Sequence, residues 1–122
     1  MENTGTGFLT THVLDASRGL PGKGIKVELF EIKNSSRRLL NTVLTNDDGR
    51  CDTRLLEGSS FVQGQYELVF HTASYFKSQG VVLEEPPFLD EVVIRFGVSK
   101  TNDHYHVPLL ISPYSYSTYK GS

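Results

Sequence analysis

The stretch HYHVPLLISPYSYSTYKGS, His104 to Ser122, decides how the chain folds. Successive side chains of a strand point to opposite faces, so parity sorts this segment into two rows. Tyr105, Val107, Leu109 and Ile111 form an unbroken apolar row, as the core side of a sandwich strand requires. His104, His106 and Pro108 then point away from that core. Ser112-Pro113 interrupts the alternation, and Tyr114 to Lys120 resumes it as a further strand.

The same two-residue period runs through the rest of the chain. Phe8 to Asp15 predicts a strand with Leu9, Thr11 and Val13 facing inward and His12 facing out beside Thr10 and Leu14. Asp15 to Gly24 reads as a loop with a Pro-Gly turn, and Ile25 to Ile32 as a strand with Ile25, Val27, Leu29 and Glu31 on one face. Leu39 to Thr45 is a third strand, closed by the hairpin signal Asn46-Asp47-Asp48-Gly49 and followed by a short strand from Arg50 to Leu55. Gln65 to His71 places Tyr66, Leu68 and Phe70 together. Thr72 to Gly80 breaks the alternation and predicts two turns of helix, capped by Thr72 and stopped by Gly80. Pro86-Pro87 ends regular structure before a strand from Glu91 to Phe96. Many short strands with one short helix predict an all-β antiparallel sandwich. With neither internal repeat nor linker, residues 1–122 read as one domain.

Bulk properties exclude several classes. A length of 122 residues suits one core. A net charge of -2, with Arg37-Arg38 the only adjacent basic pair, gives no general attraction to nucleic acid or an acidic membrane. No run approaches the ~20 apolar residues that span a bilayer, and the opening MENTGTGF has no basic region followed by an apolar one. The single cysteine, Cys51, excludes an internal disulfide and favours a reducing compartment. A soluble cytoplasmic protein is the expectation. Phosphate loops, dinucleotide fingerprints and zinc-finger spacings are absent.

Three histidines, His12, His104 and His106, lie on the outward faces of two predicted strands, which they share with Leu14 and Leu110. Partly apolar outward faces imply a cover, most simply another subunit. Imidazoles in the resulting cleft would be partly dry, where general-base chemistry is effective. The plainer reading of an exposed strand histidine is surface decoration, and His71 takes it. The i, i+2 spacing of His104 and His106, with His12, also matches zinc ligation, although no carboxylate is evident to orient the rings. Arg50 by itself is a solvated turn residue, and Tyr114, Tyr116 and Tyr119 are strand formers. Cys51 lacks the surroundings of a nucleophile and reads as an ordinary strand cysteine.

Taken together, Thr11 to Asp15 with Gly19-Leu20-Pro21, Thr45 to Arg50, and His104 to Ser122 resemble the sequence blocks of the transthyretin-like 5-hydroxyisourate hydrolases. The resemblance runs from about Leu9 to Ser122. It implies a transthyretin-like sandwich of two four-stranded sheets with one short helix, assembled as a homotetramer, a dimer of dimers with its sites at the dimer–dimer interface. Carried over residue by residue, it implies His12, Arg50 and His106 as catalytic groups. Tyr119, Gly121 and Ser122 would complete the site, with His104 and Lys120 beside them. The family closes in Tyr-Arg-Gly-Ser; Lys120 here replaces a planar guanidinium fork with a flexible point charge.

The implied reaction converts 5-hydroxyisourate to 2-oxo-4-hydroxy-4-carboxy-5-ureidoimidazoline in purine (urate) catabolism, without metal or organic cofactor. His106 or His12 would take a proton from water, and Arg50 would stabilise the oxyanion. The Ser122 hydroxyl and the terminal carboxylate would fix the substrate's ring N–H groups. The alternative is a transthyretin-type hormone carrier. As that family is known, its carriers lack the residues matching His106, Arg50 and the closing Gly-Ser, all of which stand here.

Overall fold

Alternating apolar residues that face one another across a gap must close it, and here two sheets do so. The computed structural model describes residues 6–122. Its strands are β1 (Phe8–Asp15), β2 (Leu20–Pro21), β3 (Lys26–Lys33), β4 (Ser36–Leu44), β5 (Leu56–Glu57), β6 (Gly64–Phe70), β7 (Val92–Val98), β8 (His104–Ile111) and β9 (Tyr116–Thr118), with the helix α1 (Thr72–Ser78) between β6 and β7. One sheet has the order β4-β3-β6-β7; the other has β2-β1-β8-β9, with β5 also paired to β1.

The second sheet therefore gathers five strands where the sequence reading expected four, two of them only two residues long. A second difference matters more. β1 and β8 run parallel, in register from Phe8 opposite His104 to Asp15 opposite Ile111; every other strand pair is antiparallel. A parallel pair needs a long crossover, and everything from β2 to β7 supplies it.

Between the sheets lies one continuous core. Leu9, Val13, Leu109 and Ile111 from β1 and β8 meet Val27, Leu29, Leu68 and Phe70 from β3 and β6. Each such buried side chain contributes about 1.5–3 kcal/mol relative to exposure. α1 adds Ala73, Tyr75 and Phe76 to the buried set. The Tyr75 hydroxyl donates to the fully buried carboxylate of Asp15 (2.9 Å), which also accepts from Ser17 N–H and Oγ–H and from Arg18 Nε. This ties the helix to the end of β1. Thr72 does not cap α1: His71 precedes the helix without a side-chain bond to it, and Thr72 Oγ1 instead donates to the Asp90 carbonyl. His71 is not surface decoration either. Its ring sits half-buried between Glu28 (2.7 Å) and Glu91 (3.5 Å).

The Asn46–Gly49 turn forms, but no hairpin follows it. Asn46 Oδ1 accepts from the backbone N–H of Asp48 and of Arg50. Gly49, at φ +76°, packs so tightly beneath β1 that a Cβ would stand 2.3 Å from the Val13 carbonyl oxygen. The chain then crosses from one sheet to the other instead of doubling back on β4. The expected strand Arg50 to Leu55 is therefore reduced to a single bridge between Arg50 and His12, and Cys51 lies in this crossing rather than in a strand. The last predicted strand shortens to β9, after which the chain rejoins β8 by one bridge, Gly121 to His106. Among the described residues no helix is long and apolar enough to cross a membrane.

Candidate functional site

The parallel register of β1 and β8 sets Thr10 opposite His106 and Phe8 opposite His104, all on the outward face. Thr10 Oγ1 lies 2.7 Å from His104 Nε2 and 2.8 Å from His106 Nδ1, so one hydroxyl bridges two imidazoles. The Phe8 ring stacks on His104 with centroids 4.2 Å apart, and the Arg54 guanidinium lies 3.5 Å from the Phe8 centroid. Neither Thr10 nor Phe8 was singled out from the sequence. Their parity placed them outward with His12, but only the register of β1 against β8 brings them to the histidines.

Arg50 reaches this face through its bridge to His12. Arg18, Arg37, Arg38, Arg54 and Arg95 each have a carboxylate partner, and among the described residues Arg50 alone of the arginines has none. A guanidinium left unpaired beside imidazoles is suited to a ligand rich in carbonyl or anionic oxygen. The residues meet in a cleft of about 220 Å³ lined by Thr10, Thr11, Arg50, His104, His106 and Ser122, with Cys51 and Thr53 also in its wall.

Chain after β9 closes one side. Gly121 N–H donates to the His106 carbonyl (2.8 Å), and a Cβ on Gly121 would stand 2.7 Å from His106 Cδ2. Only glycine approaches the ring this closely, and the approach delivers Ser122 to the cleft. Lys120 goes the other way. Its Nζ lies 5.1 Å from the Tyr105 ring centre, and Tyr119 and Lys120 line a neighbouring cleft of about 330 Å³ with Phe96, Gly97 and Val107, which His106 borders as well. Of the expected site residues, then, Arg50, His104, His106 and Ser122 share one cleft, and Gly121 packs against it. Tyr119 and Lys120 do not line it; both line the neighbouring cleft that His106 also borders. His12 does not line the cleft; its Nε2 lies 3.1 Å from the Asp48 carbonyl oxygen.

Burial, and then the electrostatic influence of His104, Arg50 and His12, lowers the proton affinity of His106 below its ordinary 6.5. His106 is thus a neutral imidazole near pH 7, able to accept a proton. Cys51 is the opposite case: burial, with Asp52 nearby, pushes its thiol up to about 11, so it carries no thiolate at neutral pH. Among the described residues no group of three His, Cys, Asp or Glu side chains is placed to hold a metal ion.

Residues 9–121 match the HIUase/Transthyretin family. The chain belongs to that family. Among members of the HIUase/Transthyretin family, it is 58% identical over 116 residues to a 5-hydroxyisourate hydrolase of Pseudomonas aeruginosa, covering 95% of this chain and 92% of that protein. Among solved structures it resembles Klebsiella pneumoniae 5-hydroxyisourate hydrolase, at 31% identity and a TM-score of 0.80, covering 95% of this chain and 99% of that one. It also resembles an (S)-allantoin synthase at 42% identity and a TM-score of 0.94; all of this chain matches, but only 46% of that longer one. The parallel β1–β8 pair and its outward imidazoles are thus the form that the HIUase/Transthyretin fold takes here.

Proposed function

We propose that this protein hydrolyses 5-hydroxyisourate to 2-oxo-4-hydroxy-4-carboxy-5-ureidoimidazoline, a step of urate breakdown. The observation that carries the reading is one cleft uniting two imidazoles, an arginine without a carboxylate partner, and Ser122. Hydrolysis of an amide-like ring bond needs a base for water, a donor set for the developing oxyanion and a proton for the leaving nitrogen. His106, neutral near pH 7, takes the proton from water. Arg50 holds the substrate's carbonyl oxygens and stabilises the oxyanion. His12, outside the cleft lining, serves by holding Arg50 on the neighbouring bridge, and the Ser122 hydroxyl meets a ring N–H. Tyr119 and Gly121 carry the tail across His106, and Lys120 supports that tail rather than touching substrate.

The test is the ultraviolet decay of freshly generated 5-hydroxyisourate with untagged protein. His106→Ala should abolish the accelerated decay, and removal of residues 120–122 should do the same while the core stays folded. Undiminished acceleration in either variant overturns these roles.

We further propose that residues 1–122 act as one transthyretin-like domain and assemble as a homotetramer that closes the cleft from outside. Half-buried Leu14 and Leu110 and exposed Tyr114 and Tyr116, on or near the outward sheet face, support a covering subunit. Light scattering after size exclusion should give four chains; a fully active monomer would remove the interface from the site. A cytoplasmic location is proposed on the free thiol of Cys51, and fractionation of the source cells tests it.

A further inference from the structure

A hydroxyl carries one hydrogen. The Thr10 hydroxyl stands between His104 Nε2 at 2.7 Å and His106 Nδ1 at 2.8 Å, so it can donate to at most one ring and must accept from at least one. Whenever its hydrogen is given to one of the rings, the tautomers of the two imidazoles are coupled in opposite senses. In one arrangement His104 Nε2–H donates to Thr10 and Thr10 donates to His106 Nδ1, which leaves His106 protonated on Nε2 and useless as a base. In the other, His106 Nδ1–H donates to Thr10 and Thr10 donates to a bare His104 Nε2. Only the second leaves a lone pair on His106 for the cleft.

We infer that Thr10 is the positioning residue of this site, its hydroxyl accepting the Nδ1–H of His106 and donating to His104 Nε2, so that His106 offers an unprotonated Nε2. The inference rests on the hydrolase reading above and gives His104 a job that needs no contact with substrate. The geometry around the bridge supports it. Phe8 stacked on His104 at 4.2 Å fixes one end of the bridge, and the Gly121 N–H bonded to the His106 carbonyl fixes the other. The remaining charged or titratable groups acting on His106 are Arg50 and His12, neither of which occupies Nδ1.

The cycle balances without breaking the bridge. His106 Nε2 takes a proton from water as the water oxygen bonds the carbonyl carbon, and the ring becomes an imidazolium whose Nδ1–H still donates to Thr10. The C–N bond then breaks, the leaving nitrogen takes that proton from Nε2, and the starting tautomer returns. Thr10 thus does for His106 what an orienting carboxylate does elsewhere, but without adding a charge.

Nitrogen-15 NMR of the imidazoles in the full chain tests the bridge directly. At pH 7.5 the unaltered protein should show His106 protonated on Nδ1 and His104 bare at Nε2, and Thr10→Val should shift His106 toward the Nε2–H form. In the decay assay Thr10→Val should lower kcat about 10- to 100-fold with KM within about twofold, as loss of a correctly poised base does. Thr10→Ser should recover both the tautomer and most of kcat. An Nε2–H His106 in the unaltered protein overturns the inference, as does an unmoved tautomer in Thr10→Val or a loss confined to KM. If the protein does not hydrolyse 5-hydroxyisourate at all, the function reading fails, and the NMR result alone judges the bridge. If Thr10→Val does not fold, the unaltered protein and Thr10→Ser carry the same test.

Discussion

Gly121→Ala is the sharpest probe of how the tail serves the cleft. The added methyl would stand 2.7 Å from His106 Cδ2, 3.2 Å from the His106 carbonyl oxygen and 3.3 Å from its Cβ. Carbon atoms in contact prefer about 3.5–4.0 Å, so something must yield by about 1 Å. The ring is held through Nδ1 at 2.8 Å from Thr10, and the His106 backbone lies inside β8. The tail is exposed on either side of a half-buried Gly121 and, among the described residues, its backbone is tied to β8 at this point by the Gly121–His106 bond, so the tail moves. Losing that bond costs about 0.5–1.5 kcal/mol of stability, a fall in Tm of about 2–6 °C for a chain of this size. The functional loss is larger, because Ser122 leaves the cleft, and a misplacement of about 1 Å can cost about 10²-fold in rate. Initial rates of 5-hydroxyisourate decay should therefore fall about a hundredfold while calorimetry records a transition lowered by no more than about 6 °C. Activity within twofold of the unaltered protein would refute the tail's role. A fall in Tm beyond about 10 °C would show instead that the tail is part of the core.

The remaining expectations concern charge. Burial first, and then His104, Arg50 and His12, lower the His106 pKa, and the neutral ring is the active form. The acid limb of the kcat/KM profile should therefore have its midpoint below 6.5; Arg50→Gln should move it upward and lower kcat/KM by about 10²–10³-fold, and a limb that stays put denies the coupling. For Asp15, burial alone would raise the carboxyl pKa, but hydrogen bonds from Ser17, Tyr75 and Arg18 outweigh it and hold it below 3.8. Its stabilisation is thus full above the unfolded value and lost as pH falls through the folded one. Asp15→Asn should cost roughly 2–4 kcal/mol at pH 7 by denaturant titration, with the gap to the unaltered protein narrowing below pH 4; a gap independent of pH counts against the network. The Cys51 thiol, pushed up to about 11, should alkylate slowly at pH 7.5 and faster only in strong alkali, and rapid labelling at neutral pH would contradict its burial.

Most strands were legible because alternation is a local property. β1 begins and ends where the sequence placed it, and β8 keeps the inward row Tyr105, Val107, Leu109 and Ile111. Three features were not local. The parallel pairing of β1 with β8 joins residues far apart in sequence, and nothing within either strand states which way its neighbour runs. The Asn46–Gly49 turn reads as a hairpin, yet Gly49 packs under Val13 and sends the chain to the other sheet. Thr10 carries no chemical signature of its own and becomes informative only when a histidine lies on each side of its hydroxyl. Lys120 is a similar case: only the folded tail shows that its Nζ lies by the Tyr105 ring, in the neighbouring cleft.

The site also depends on the core for something it could not supply itself. Burial and the neighbouring His104, Arg50 and His12 make the protonated form of His106 unfavourable, so the cluster is a poor clamp between β1 and β8 once His106 charges. The opposite face does hold them. Slipping β1 by one residue along β8 would turn every side chain to the wrong face and expose Leu9 and Val13, which are fully buried. At about 1.5–3 kcal/mol each, with Thr11 and its 2.7 Å bond to the Val107 carbonyl lost as well, that slip costs several kcal/mol. Repulsion among the outward groups, screened and partly exposed, is on the order of 1 kcal/mol per pair. The apolar row therefore fixes the register by a wide margin, and the register places Thr10 between His104 and His106. Mutations that loosen the inward row, such as Val13→Ala, should therefore degrade the site before they unfold the protein.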